Sequence, residues 1–266
     1  MRIRPELVLL ACAVVALPLS AAGPLFPRPL HLTREIVDPI SGRTSTIDEY
    51  FHGDRAVAVH GEVVAIADYA RGELLRIDRA AGTWSVAGFD ALARAAAGLA
   101  PATGRRGAGS AVIDLRRAGD SILDGRRVEL WRGVAGEDLS IEVAVDRSIG
   151  ISRDALEVVA GSAFPAVPSA EQRAILAAAA PAAARDGVES FATQLYALPL
   201  ETKTTFRIGG ESLTAISRVT RVGDELPPAG LLDVPPGSRR IESDLLEAAR
   251  RLDALDHLPA DPPPEE

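Results

Sequence analysis

The chain has 266 residues, of which 47% are hydrophobic and 25% charged, and its formal net charge is −8. That length serves one large domain or two small ones of ordinary globular composition. The acidic balance speaks against nucleic acid as a partner, because phosphate backbones and anionic membrane surfaces repel a negatively charged protein.

Residues 1–22 read as a secretory signal peptide. Arg2 and Arg4 supply the positive start, 7–19 form the apolar stretch, and Ser20-Ala21-Ala22 places small residues at a cleavage site. The apolar run is shorter than the ~20 residues a membrane span needs. The expected mature chain begins at Gly23 in the periplasm or outside the cell, with a retained anchor or a lipid on Cys12 as the other readings. Cys12 is the only cysteine, so a chain cleaved at Ala22 carries no disulfide and no thiolate metal site. The sequence contains no Asn, which removes N-glycosylation.

Residues 30–87 read as an antiparallel meander of short strands near 30–38, 43–51, 54–60, 62–69, 73–79 and 83–87. Glycines punctuate the junctions at 42, 53, 61, 72 and 82, where tight turns call for a positive φ. Alternation puts Val57 and Val59 on one face, with Ala56, Ala58 and His60 on the other. Val64 and Ile66 oppose Val63, Ala65, Ala67 and Tyr69. This strand is apolar on both sides, so both sides need a cover. Leu75 and Ile77 alternate with Leu74, Arg76 and Asp78.

Residues 89–98 read as a short helix ending in Gly98, and 98–110 as a Gly/Ala/Pro-rich loop. A second β region follows, with strands at 111–117 and 121–123, the turn Asp124-Gly125, and Val128, Leu130 and Arg132 alternating with Arg127, Glu129 and Trp131. Leu139, Ile141, Val143 and Val145 alternate strictly with Ser140, Glu142, Ala144 and Asp146. Ser152 caps a helix over 152–160, and Ser169-Ala170-Glu171-Gln172 is a capping box for a helix to about 180. Strands over 201–208 and 211–222 are joined by Gly209-Gly210. A Pro-rich stretch follows, then an amphipathic helix over 241–257 and a Pro-rich acidic tail from 259. The domain reading is a signal peptide at 1–22, a β-rich domain at 23–240, the helix at 241–258 and the tail at 259–266.

An exported chain that opens on a meander, carries a hairpin after Leu198-Pro199-Leu200 and ends on Leu231-Leu232-Asp233-Val234-Pro235-Pro236-Gly237 resembles the LolA/LolB-type lipoprotein-carrier half-barrels and related exported proteins. The resemblance spans roughly 30–240. It implies an α+β fold, a large curved antiparallel half-barrel sheet with helices packed against its concave face. It also implies carriage or sensing of lipid or lipoprotein acyl chains at the cell envelope, or contact with another envelope protein, without enzyme activity and without a cofactor. Val64, Ile66, Leu75, Ile77, Trp84 and Trp131 are the candidates for core or groove wall. An aromatic content of 4% is low for a rich apolar groove.

The motifs of serine hydrolases, zinc proteases and phosphate-binding loops are missing from the sequence. His52 and His60 flank one strand with Asp48, Glu49 and Asp54 nearby, which keeps open an extracytoplasmic hydrolase or metal-dependent enzyme. The bland reading of both is turn geometry, because His is enriched among non-Gly residues at φ > 0. Arg126-Arg127 and Arg239-Arg240 read as solvated charges. A membrane-tethered interaction domain, held by residues 7–22, is a third reading.

Overall fold

The computed structural model describes residues 23–92, 115–135, 139–163, 195, 197–208, 211–244 and 246–247. The expected signal peptide with Cys12, the loop at 98–110, the helix at 169–180, the Gly209-Gly210 turn and the tail lie outside them. So do most of the helix at 241–257 and the end of the one at 89–98.

One open sheet organises these residues. Its strands are β1 (Phe26–Val37), β2 (Thr44–Gly53), β3 (Arg55–His60), β4 (Val63–Asp68), β5 (Glu73–Asp78), β6 (Thr83–Gly88), β7 (Arg116–Leu123), β8 (Arg126–Ala135), β9 (Leu139–Asp146), β10 (Leu198–Ile208), β11 (Glu211–Gly223) and β12 (Arg239–Arg240). They run in the order β12-β6-β5-β4-β3-β2-β1-β11-β10-β9-β8-β7. Every neighbour pair is antiparallel except β12 with β6. Two meanders, β1–β6 and β7–β11, are therefore joined along the seam of β1 and β11. The sheet is curved, and the helix α1 (Arg153–Ala163) packs against its concave face.

The turns explain why the meander forms. In 38–42, 68–72 and 78–82 an Asp opens a turn whose amides bond its carboxylate. Ile40 and Ser41 donate to Asp38, Arg71 to Asp68 and Ala81 to Asp78, at 2.7–3.0 Å. Each turn closes on a Gly at positive φ: Gly42, Gly72 and Gly82. At Asp124-Gly125 both residues have positive φ, 50° and 78°, which matches the right-handed twist of the flanking strands. His52 and His60 are different from expectation. The left-handed residues beside them are Gly53 and Gly61, and Asp124 is the only non-Gly residue with positive φ among those described. Glycine takes the left-handed conformation at no steric cost, so the neighbouring imidazole has no need to.

Cross-strand partners define two faces. On one, Leu30, Phe51, Ala56, Ala67, Leu74 and Ala87 form a row, flanked by a row of Leu32, Glu49, Ala58, Ala65, Arg76 and Ser85. On the other, Tyr50, Val57, Ile66, Leu75 and Val86 lie beside Asp48, Val59, Val64, Ile77 and Trp84. Both faces of β4 are covered, as its double apolar pattern requires. Phe89, Leu92 and Leu246 pack with Val63, Ala65 and Ala67, whereas Leu231, Leu232 and Val234 pack with Val64 and Ile66.

Helix α1 begins at Ser152, whose Oγ accepts a bond from the Ala155 amide at 3.2 Å. Ala155, Leu156, Val158 and Val159 are buried, and Ala155, Val158 and Val159 are set against Phe26, Leu32, Phe51, Leu198, Leu200 and Val219. In β9, Ile141, Val143 and Val145 are buried and Glu142 is exposed, as the alternation predicts. Ala144 and Asp146 are buried as well, because Val128 packs with Ala144 and Arg126 reaches Asp146 at 3.4 Å. The strands expected at 111–117 and 121–123 form one strand from Arg116, with a bulge between Arg117 and Gly119. Arg239-Arg240 is more than a solvated pair. The side chains are exposed, but the Arg239 amide bonds Gly82, the Ile241 amide bonds Trp84, and the Arg240 guanidinium lies 5.2 Å from the Trp84 ring centroid.

Candidate functional site

The row of Ala56 and Ala67 and the row of Ala58 and Ala65 put four methyl groups side by side on two adjacent strands. Larger side chains border them: Phe51 and Leu74 on the sheet, Tyr69 in the turn after β4 and Val158 on α1. The result is an apolar hollow between sheet and helix, with Glu49 in its wall. Its free volume is about 20 Å³, room for a single water, since one such site needs ~10–15 Å³. Val158 of α1 covers one part of this floor, and Phe89, Leu92 and Leu246 pack with Ala65 and Ala67.

Beside the hollow lies a buried polar cluster. Arg34 on β1 is 1% exposed, Glu49 on β2 4%, Ser217 on β11 0%, and Thr202 and Thr204 on β10 1% and 4%. Arg34 Nε donates to Glu49 Oε2 at 2.9 Å, and Arg34 Nη1 donates to Ser217 Oγ at 3.1 Å. Ser217 is the cross-strand partner of Thr202, and Thr204 follows two positions along the same face. Arg34 Nη2, Thr202 Oγ1 and Thr204 Oγ1 have no hydrogen-bond partner among the described residues. The sequence reading did not single out these residues, although a signal exists. Arg34 holds the same phase as Leu32 and Ile36, and Glu49 that of Ile47 and Phe51, so both charges stand where the strand pattern calls for an apolar residue.

The opposite face carries a second polar cluster. The His31 ring stacks on Tyr50, centroids 4.3 Å apart and planes 6° apart. Its Nδ1 lies 3.1 Å from Glu225 Oε2 and its Nε2 3.3 Å from Asp48 Oδ1, and Thr33 also donates to Asp48. Glu225 is held below the usual carboxylate range, first by a hydrogen bond from its own backbone and then by one from His31. Burial, and then the charges of Asp48 and Glu225, push the Tyr50 phenol up. These contacts tie β1, β2 and the chain after β11 together, and both ring nitrogens of His31 are spent on carboxylates.

Of the groove-wall candidates, Val64, Ile66, Leu75, Ile77 and Trp84 share one face of β4–β6. The chain's own Leu231, Leu232 and Val234 lie over them, and Arg79 fixes that segment by donating from Nη2 to the carbonyls of Gly230, Leu231 and Asp233 at 2.9, 2.9 and 3.4 Å. Trp131 sits apart on β8, in a cleft of about 200 Å³ whose charged walls pair with one another, Arg132 with Glu142 and Lys203 with Glu201. His52 on β2 pairs with Arg55 at the start of β3, His60 ends β3, and the two imidazoles lie on opposite faces of the sheet, so they do not converge on one site. Burial lowers the His60 pKa. Among the described residues no group of three His, Cys, Asp or Glu is placed to hold a metal ion.

No known family model matches the chain, and no curated protein matches it in sequence. Among solved structures the chain is similar to an uncharacterized conserved protein from Thermus thermophilus, at 9% identity and a TM-score of 0.44, over 82% of this chain and 92% of that one. MucB of the Pseudomonas aeruginosa MucA/MucB complex matches at 13% identity and a TM-score of 0.38, over 76% of this chain and 54% of that one, so the chain spans about half of MucB. A putative outer membrane lipoprotein-sorting protein domain from Vibrio parahaemolyticus matches at 9% identity and a TM-score of 0.25, over 77% of this chain and 88% of that one. The likeness is one of fold alone.

Proposed function

We propose that this is an exported, non-enzymatic binding protein that holds an apolar ligand of the acyl-chain class between the alanine floor of β3–β4 and helix α1. The observation that carries the reading is that floor. Four buried or half-buried alanines sit between Phe51, Tyr69 and Leu74, under a helix whose facing residue is Val158. Small side chains on an inner sheet face leave a trough one hydrocarbon chain wide once the cover of α1, Phe89, Leu92 and Leu246 is displaced, and its walls are apolar. Export rests on the pattern of residues 1–22. N-terminal sequencing of the protein recovered from the periplasm or medium is expected to start at Gly23, and an intact Met1 in a soluble cytoplasmic fraction refutes export.

Titration with palmitate and with monopalmitoylglycerol tests binding. A ligand that binds only the folded state raises Tm with concentration, by about 2.7 kcal/mol of stabilisation at a hundred times Kd. The variant Ala58→Leu with Ala67→Leu fills the trough and is expected to fold and to lose the shift. A shift of the same size in that variant places the ligand elsewhere, and no shift with either probe in the natural protein rejects the reading.

A further inference from the structure

Helix α1 lays an apolar stripe over a sheet face that contains charges and hydroxyls with donors to spare. Arg34 has five N–H groups on three nitrogens, and only Nε and Nη1 have partners. Thr202 and Thr204 each bring a hydroxyl with none. All three unpartnered groups stand on one face of the sheet, Arg34 on β1 and both threonines on β10, with Ser217 of β11 between them and strands about 5 Å apart. Their common property is decisive for what they can take. Each can donate, and the one full positive charge among them is already balanced by Glu49 at 2.9 Å. A group arriving here must therefore offer several acceptor oxygens and bring no net charge, because a carboxylate or phosphate placed beside Glu49 is an unbalanced buried anion.

We infer that Arg34, Thr202 and Thr204, with Ser217 between them, form the subsite for the polar end of the ligand, and that this end is a neutral, acceptor-rich group of the carboxylic ester or amide class. The inference rests on the acyl-chain reading above, since the cluster adjoins the hollow through Glu49. An ester has a carbonyl oxygen to receive Arg34 Nη2 and one threonine hydroxyl, and neighbouring oxygens for the other. The hydrocarbon tail then lies along Ala58, Ala65 and Ala67. In the unliganded protein these donors are buried without a partner, which costs stability that an arriving acceptor group returns.

Three probes with the same sixteen-carbon tail test this on the full chain: monopalmitoylglycerol, palmitate and hexadecane. The natural protein is expected to bind the neutral ester at least ~10-fold more tightly than the other two, the scale of one or two good hydrogen bonds. Thr202→Val with Thr204→Val keeps the side-chain shape, and is expected to raise the Tm of the unliganded protein while abolishing the ester's advantage. Thr204→Val alone should move both readouts in the same direction by less. Equal binding of ester and hexadecane, or tighter binding of palmitate, overturns the subsite but leaves the apolar trough standing. A fall in unliganded Tm in both variants also overturns it, because the hydroxyls then have partners such as buried water. Failure of all three probes to bind rejects the acyl-chain reading itself, and the subsite with it.

Discussion

Replacing Ile141 by Asp sets an unpaired carboxylate on a side of β9 that is 4% exposed, and is expected to cost about 3–5 kcal/mol. Glu142→Ala removes one exposed partner of Arg132, 3.0 Å away, and should change stability by less than about 0.5 kcal/mol. A urea titration of both variants checks the register of the strand, and equal losses refute it. His60 gives a second residue-level test. Burial lowers its folded pKa below the ordinary value of 6.5, so in the window just below that value the unfolded chain binds the extra proton. Stability from this group is therefore present above the unfolded pKa and lost as pH falls through the folded one. Removing the group in His60→Gln should flatten the fall in stability of the natural protein below pH 6.5, and an unchanged slope shows that the imidazole is not the titrating group. Alternation revealed which residues share a face, Val57 with Val59, Val64 with Ile66 and Leu75 with Ile77, because a pleated strand imposes it. It did not reveal the Arg34–Glu49 pair, since the pattern reports which phase is buried and not that a charge in that phase has found its counter-ion on the next strand.

Among the elements, the segment 226–237 has the role of a strap. Its Leu231, Leu232 and Val234 cover the β4–β6 face, and Arg79 grips three of its carbonyls. Arg79→Met keeps the aliphatic stem and deletes those bonds. It is expected to lower stability by about 1–2 kcal/mol and to speed amide exchange at Leu231, Asp233 and Ser238, which donate within the strap's turns. Unchanged exchange there shows that apolar packing alone holds the strap. The need for such a cover was legible in the double-faced apolar strand at 62–69, but its identity was not, because the covering residues stand far along the chain and sequence periodicity carries no information about distant contacts. The same limit hid β12, whose two residues pair with β6 through Arg239↔Thr83 and Arg240↔Trp84. Local signals did carry the turns, where an Asp, a Gly or the Asp124-Gly125 pair settles the backbone within a few residues.

For the molecule as a whole, the seam between β1 and β11 decides whether two meanders behave as one sheet. β1 is paired on both sides, with β2 through partners such as Glu35↔Thr46 and with β11 through Glu35↔Arg218. Glu35→Pro removes a backbone donor from this central strand and is expected to cost about 3 kcal/mol or more. Because the seam joins residues from the two ends of the described chain, its loss should also separate the unfolding of the halves. Trp84 fluorescence and Trp131 fluorescence, each followed with the other tryptophan replaced by Phe, are expected to report one transition in the natural seam and two in Glu35→Pro. Coincident transitions in the variant show that the halves remain coupled by other contacts, α1 among them.

The turns at 68–72 and 78–82 are built alike, each from an Asp whose carboxylate bonds the amide three residues on and a Gly at positive φ. Together with the six-residue strands before them they form a strand-plus-turn unit that recurs, β4 with its turn and then β5 with its turn. Such a unit makes the breadth of the sheet a matter of arithmetic. Adding or excising two consecutive units restores the chain direction and leaves each remaining strand with its inward and outward residues unchanged, whereas adding one reverses the path and exposes the wrong edge. Natural variation in width at this end of the sheet should therefore come in even steps.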